Sequence, residues 1–329
     1  MGRKSSEFAR IERLLAPLAE GFPGAFGLSD DAAVVTPPAG RDLVVTTDTL
    51  VAGVHFKGDE PPGLIAAKLL RVNLSDLASM GAAPLVYTLN IALPDEIGDD
   101  WLEDFVAGLR ADQEEFGISL AGGDSVATPG VLTLTVTAFG LVETGGALRR
   151  SGARPGDTVW VSGTIGDAAL GLAALRGELP GLDEDARGEL TARYNRPEPR
   201  VELGCKLHGI ASAAIDISDG LAADLGHITG TSGVAAVVES SRIPLSGAAR
   251  GALAMDRGLL GAVLAGGDDY ELLFTAPPGA EEEINALSAG IGLPLTAIGR
   301  IDAGSGLRVL DETGREIALD RQGWVHGGG

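Results

Sequence analysis

PGLIAAKLLRVNLSDLASM, residues Pro62–Met80, carries an apolar stripe at Leu70, Leu74 and Leu77. That spacing predicts an amphipathic helix. One residue breaks the pattern. Asp76 falls in mid-helix, where aspartate is a poor helix former, on a face shared with Asn73, Leu69 and Ile65. A carboxylate on a half-apolar face wants a cation or a buried donor. Upstream, a helix is expected over Ser6–Leu18 and strands at Ala32–Val35 and Asp42–Thr47. VTTDTLVAGVHF, Val45–Phe56, therefore sets Thr46, Thr47 and Asp48 at the end of an apolar strand. Downstream, Leu85–Leu93 alternates as a strand, and Asp99–Phe116 reads as a helix capped by Asp99 or Asp100. ISLAGGDS is expected to be a buried strand running into a glycine turn, and VLTLTVTAFGLV, Val131–Val142, a long strand alternating Thr with apolar residues.

The Gly-rich, basic stretch ETGGALRRSGARPGD then marks a domain junction. Beyond it, TVWVSG reads as a strand, followed by helices in TIGDAALGLAALRG and around Asp183–Tyr194 and Pro199–His208. AAIDIS is a strand, DGLAADLGHITG a helix with Asp219 as its N-cap, and GVAAVVES a further strand. Helices reach to about Leu264, then come a strand in YELLFTAP, a helix over Pro278–Ala289 and a closing strand near Leu295–Arg300. This mixture predicts two α/β or α+β domains, residues 1–148 and 149–329. LAGGD occurs twice, at 120–124 and 264–268, and predicts two strand ends finishing alike in a Gly pair and a carboxylate.

Composition narrows the function. Hydrophobic residues make up 45% of 329, which suits packed domains, and no apolar run is long enough to span a bilayer. The N-terminal MGRKSSEFARIERLL lacks the apolar core of a signal peptide. Cys205 is the single cysteine, so no internal disulfide forms, which fits a reducing cytoplasm. A net charge of −21 argues against nucleic acid as a partner. It leaves room for a small polyphosphate held through metal cations. There is no G-x-x-x-x-G-K-[ST], no strand-linked G-x-G-x-x-G and no G-x-S-x-G, and one cysteine with scattered histidines makes a zinc cluster improbable.

What remains is a series of aspartates at the ends of apolar elements: Asp30, Asp31, Asp48, Asp76, Asp124, Asp216, Asp219, Asp268 and Asp269. Each alone fits a turn or a helix cap. Together they suit Mg²⁺, a hard cation that takes oxygen ligands, and phosphoryl transfer, in which positioning and charge neutralisation dominate. Gly122 and Gly123 would let backbone N–H groups approach phosphate oxygens. Trp324 reads equally well as a packing residue or as a cover for an aromatic heterocycle, and His55, between Val54 and Phe56, reads first as a semi-buried histidine.

LSDDAAVV, TTDTLVAGVHF, KLLRVNLSDLASMGAAP, AGGDS, LRRSGARPGD, AIDISDGLAADLGHI, AGGDDYELLF and the terminal GWVH follow one another in this order. Nearly the whole chain thereby resembles the thiamine-monophosphate kinases, a family of the aminoimidazole-ribonucleotide-synthetase-like superfamily. The resemblance implies two α/β domains, with N-terminal sheets pairing across a homodimer into a barrel-like core. It also implies direct transfer of the ATP γ-phosphoryl group to thiamine monophosphate with several Mg²⁺ ions. The implied metal set is Asp31, Thr46, Thr47, Asp48, Asp76, Asp124, Asp216 and Asp219. Gly123, with Gly122 beside it, Arg150 and Ser218 are the implied ATP contacts, and His55, Asp268 and Trp324 the implied contacts to thiamine monophosphate. Two departures stand out. The family pattern Gly-Gly-Glu-Asp-Tyr-Glu is here GGDDYE, one methylene shorter at Asp268, and the closing His-Phe is here WVHGGG. Related selenophosphate and nitrile-forming enzymes carry a Cys near one terminus, whereas Cys205 lies within the second half.

Overall fold

The computed structural model describes residues 7–318 and Gly323. Two compact units form, one from residues up to Leu77 with Ala82–Gly146, the other from Ala78–Gly81 with Ala147 onwards.

The first unit opens with α1 (Glu7–Arg10), which continues through a π turn at Ile11–Leu15 and a 3₁₀ turn at Ala16–Ala19 in place of one regular helix. Pro17 has no N–H to sustain an α-helix there. The strand predicted at Ala32–Val35 does not form, since Pro37 and Pro38 offer no ladder donors beyond it. There follow β1 (Arg41–Val51), α2 (Pro62–Ser79), β2 (Ala83–Pro94), α3 (Asp99–Phe116), β3 (Ser119–Thr128) and β4 (Thr133–Glu143). The sheet order is β1-β4-β2-β3, with β2 and β3 parallel and the other pairs antiparallel. The glycines of AGGDS do not turn the chain as expected. β3 continues through them, after a one-residue register shift against β2 at Ala121, because Gly123 lets Leu89 O come within 1.8 Å of where a Cβ would stand.

Burial follows the predicted periods. On α2, Leu69, Leu70, Leu74 and Leu77 are fully buried, each worth about 2 kcal/mol in removal from water. Arg71 is buried in the same helix and grips Asp112 of α3 with Nη2 at 2.7 Å and Nε at 3.0 Å, its guanidinium lying 4.8 Å from the Phe116 ring. The clamp fixes α2, and with it the turn carrying Asn73 and Asp76, against α3. Neither Asp99 nor Asp100 caps α3. Gly98 is the cap residue, and Asp99 is drawn instead to Arg10 at 2.9 Å, where it is buried and paired.

The second unit contains β5 (Thr158–Ser162), α4 (Asp167–Leu175), α5 (Glu184–Asn195), α6 (Val201–Lys206), β6 (Ala213–Asp216), α7 (Leu221–Ser232) and β7 (Ala235–Glu239). It continues with α8 (Gly247–Met255), α9 (Leu260–Ala265), β8 (Leu272–Ala276), α10 (Glu281–Ile291), β9 (Leu295–Asp302) and β10 (Gly306–Leu310). The sheet order is β10-β7-β9-β5-β8-β6. Val159, Val161, Ile215, Leu273 and Ile298 form its core, with Trp160 stacked on Phe274 at 6.4 Å. The second LAGGD ends a helix, not a strand, because the LGAVLA leading into it is a good helix former. The two copies therefore adopt different structures.

Candidate active site

In the first unit the site is built by β1 and α2. Alternation along β1 turns Thr46 and Asp48 to one face and Thr47 and Thr49 to the other. Thr46 Oγ1 donates to Asp76 Oδ2 at 2.5 Å. The Asp48 N–H donates to Asn73 Oδ1 at 3.1 Å, while Asn73 Nδ2 donates to Leu69 O at 2.9 Å. Asn73 is fully buried, so it acts as a rivet between strand and helix. Asp48 and Asp76 share a hydrogen bond, and the Asp48 carboxyl is pushed up to about 6, first by burial and then by the Asp76 charge. Two carboxylates placed this closely answer the question that Asp76 raised in the sequence: it faces a second carboxylate, and a cation between them would relieve both.

Thr47 departs from the expectation of two hydroxyls beside one carboxylate. Its Oγ1 donates to Val136 O at 3.0 Å and meets Thr137 Oγ1 at 3.0 Å on the opposite face of the sheet. Asp48 is also not at a strand end, since β1 runs on to Val51. Beyond it Gly53, at φ 80°, reverses the chain, and His55 folds back so that Nδ1 accepts the Val51 N–H at 3.1 Å. That bond places the ring proton on Nε2, leaving the imidazole a donor at its outer edge. Asp124 is exposed on β3, opposite Asn90 of β2, and accepts from the Ser125 N–H at 2.8 Å. Asp31 is exposed in the turn after Leu28.

In the second unit two loops are zipped together. Beyond β6 and β8, Ile217 N–H donates to Glu271 O, Tyr270 N–H to Ile217 O and Asp268 N–H to Ser218 O, at 2.9, 2.8 and 2.9 Å. Gly267 permits the contact, since a Cβ there would stand 2.1 Å from Ser218 O. Asp219 is not the N-cap of α7. Gly220 is, and the carboxylate that satisfies this helix start is Asp224, whose Oδ2 accepts from the N–H groups of Ser218, Asp219 and Gly220, each at 3.1 Å. Burial, then the neighbouring Asp219 charge, push Asp224 up to about 7, and the Arg150 charge acts in the opposite sense. Arg150 therefore lies near this loop, and Thr231 Oγ1 binds its carbonyl at 3.0 Å. Asp219, Asp224 and His227 each bring one ligand atom within 4.8 Å of the others. Asp216 is buried at the end of β6, opposite Leu272.

The structure thus joins Thr46, Asp48 and Asp76 in one unit, and Ser218, Asp219 and Asp268 along one loop pair in the other, with Arg150 near it. Trp324 lies outside the described residues. Sequence reasoning missed Asp224 and Tyr270. For Asp224 a signal existed: an aspartate early in a helix, within reach of the unpaired N–H groups that every helix start presents.

Residues 29–142 match the family model for AIR synthase related protein, N-terminal domain, and residues 154–312 that for the C-terminal domain. The chain is 42% identical to the thiamine-monophosphate kinase of Caulobacter vibrioides, over 98% of this chain and 91% of that protein. The chain belongs to the thiamine-monophosphate kinase family. Solved structures of the family share its fold. That of the thiamine-monophosphate kinase from Stenotrophomonas maltophilia K279a is 46% identical, with a TM-score of 0.80 over 86% of this chain and 89% of that one. AaThiL complexed with AMPPCP and TMP is 32% identical, with a TM-score of 0.78 over 95% of this chain and 98% of that one. No helix among the described residues is long and apolar enough to cross a membrane.

Proposed function

We propose that this chain transfers the γ-phosphoryl group of ATP directly to thiamine monophosphate, with Mg²⁺, to give thiamine diphosphate, the last step in making that cofactor. The observation that carries the reading is the Asp48–Asp76 pair, held by Thr46 and Asn73 on two packed elements. Membership of the thiamine-monophosphate kinase family, and a relative bound to AMPPCP and TMP, support the choice of substrates.

The donor set fits Mg²⁺. It is all oxygen, and two of its carboxylates are packed together at a cost that a divalent cation would remove. Asp31, Asp48, Asp76 and Asp124, with Thr46 of β1, would hold metal in the first unit, and Asp216 and Asp219 in the second, while Thr47 faces away from this pair. Bound Mg²⁺ supplies charge neutralisation between phosphate groups that otherwise repel. An oxygen of the acceptor phosphate forms the new bond to the γ-phosphorus, and the bond from that phosphorus to the β,γ-bridging oxygen breaks to release ADP. The attacking oxygen is already ionised at neutral pH, so no side chain needs to serve as base, and none forms a covalent intermediate.

Gly122, Gly123, Arg150 and Ser218 are assigned to ATP. His55, whose Nε2–H donates, is assigned to thiamine monophosphate together with Asp268 and Trp324. The protein works as a cytoplasmic homodimer. Thiamine diphosphate formation from ATP and thiamine monophosphate in excess Mg²⁺ tests the reading. A folded protein that makes none would overturn it.

A further inference from the structure

The segment Gly267–Glu271 is strained in a regular way. Asp268 has φ 71° and Tyr270 φ 52°, two left-handed residues separated by one. Aspartate tolerates that region, but an aromatic side chain there is an outlier, and such positions persist only where the surroundings over-determine them. The surroundings do so here. Asp269, between the two, is buried and accepts the Gly166 N–H at 2.7 Å and the Ala168 N–H at 3.2 Å, at the start of α4. Glu271, also fully buried, accepts from Ser162 Oγ at 2.5 Å, Arg193 Nη2 at 2.8 Å and Arg200 Nε at 2.7 Å. The backbone of Asp268 and Tyr270 is tied to Ser218 and Ile217. With Asp269 and Glu271 pinned in the core, Asp268 and Tyr270 are left half-buried, and Tyr270 Oη donates to Asp268 Oδ1 at 3.2 Å.

We propose that Tyr270 is a positioning residue for thiamine monophosphate: its hydroxyl fixes the Asp268 carboxylate in the orientation that meets the acceptor. The inference rests on the assignment of Asp268 to that substrate above. It explains why strain is maintained at both positions, since only this backbone sets the phenol beside the carboxylate while the residues on either side of Tyr270 stay anchored. It also bears on the shorter side chain found here. An aspartate reaches less far than glutamate, so its direction matters more, and the phenol supplies that direction.

Tyr270→Phe removes one oxygen and keeps the ring. It should raise KM for thiamine monophosphate about tenfold, the loss of one hydrogen bond to a charged group, and leave KM for ATP and kcat within twofold. Calorimetric binding of thiamine monophosphate should weaken by the same factor, with the melting temperature unchanged. In an Asp268→Ala background the Tyr270→Phe change should have no further effect on KM. A role confined to folding would instead lower the melting temperature and leave the KM ratio between the two substrates unmoved, which would overturn the inference. Equal KM values for Tyr270→Phe and the parent enzyme would overturn it alone, with the kinase reading intact. Absence of activity in the unmodified protein would overturn both.

Discussion

Neutralising position 48 should make the metal-free protein more stable while destroying its activity. The Asp48 carboxyl is raised from 3.8 to about 6, chiefly by burial and then by Asp76. A rise of that size corresponds to about 3 kcal/mol held against the ionised folded state. The sign follows from which state holds the proton more tightly. Below pH 3.8 the group is protonated in both folded and unfolded chains, and its contribution is fully present. As pH climbs through about 6 the folded chain gives up a proton that it bound better than the unfolded chain did, and stability is lost. Asp48→Asn keeps the shape, sets a neutral amide beside Asp76 and does not titrate. In EDTA, urea unfolding followed by circular dichroism should show little difference between variant and parent near pH 4. The difference should grow through pH 5 and 6 and level off near pH 7 at no more than about 3 kcal/mol, an upper bound because water reaches part of the pair. Saturating Mg²⁺ should reverse the order, because it stabilises the parent by mass action and meets one charged partner fewer in the variant. A variant less stable than the parent in EDTA at pH 7, or a difference that ignores pH, would refute the reasoning.

Four further outcomes follow from the same geometry. Asp76→Ala should lower kcat at least about a hundredfold without unfolding the chain, measured by thiamine diphosphate formation with circular dichroism as control, since charge neutralisation is worth several kcal/mol in such transfers. The neighbouring glycines of β3 should separate. Gly122→Ala meets nothing within 4 Å and should fold normally with a raised KM for ATP, whereas Gly123→Ala drives a methyl onto Leu89 O and should unfold at lower denaturant. Glu271→Ala leaves Arg193 and Arg200 facing a buried gap and should cost about 3–5 kcal/mol in chemical unfolding. Asp268→Glu moves the carboxylate one methylene away from the Tyr270 hydroxyl, so Tyr270→Phe should change KM less in that background than in the parent, read from the same kinetic assay.

Periodicity carried most of the architecture. The stripe on α2, the alternation of β4 and the span of α3 were all legible, because each is a local pattern that tertiary packing reinforces. Asp76 was legible as an anomaly, and the structure gives its reason. What escaped reading was set by partners distant in sequence. Asp99 has a cap residue's side chain, but Gly98 holds the cap position and Arg10 takes the Asp99 carboxylate. Asp219 has the right sequence for a cap, yet Asp224 reaches back to the same N–H groups. The two LAGGD segments differ because one is flanked by strand residues and the other by helix formers. Thr47 reads as a twin of Thr46, and only the pleat reveals that they face opposite ways. The left-handed pair at Asp268 and Tyr270 had no signal in composition at all, since neither residue is a glycine.

The pleat of β1 also limits how this site can change over generations. A single inserted or deleted residue between Arg41 and Asp48 would exchange faces, sending the carboxylate outward and a threonine inward, and the long pairing with β4 gives such a slip nowhere to be absorbed. Descendants can therefore edit this wall by replacing letters, not by adding or dropping them. Past Val51 the turn that carries His55 is itself tied back to the strand end, and length is free to drift beyond it, in the exposed loop at residues 57–59. The loop beyond His55 can thus be remodelled in steps that the metal-holding strand does not allow.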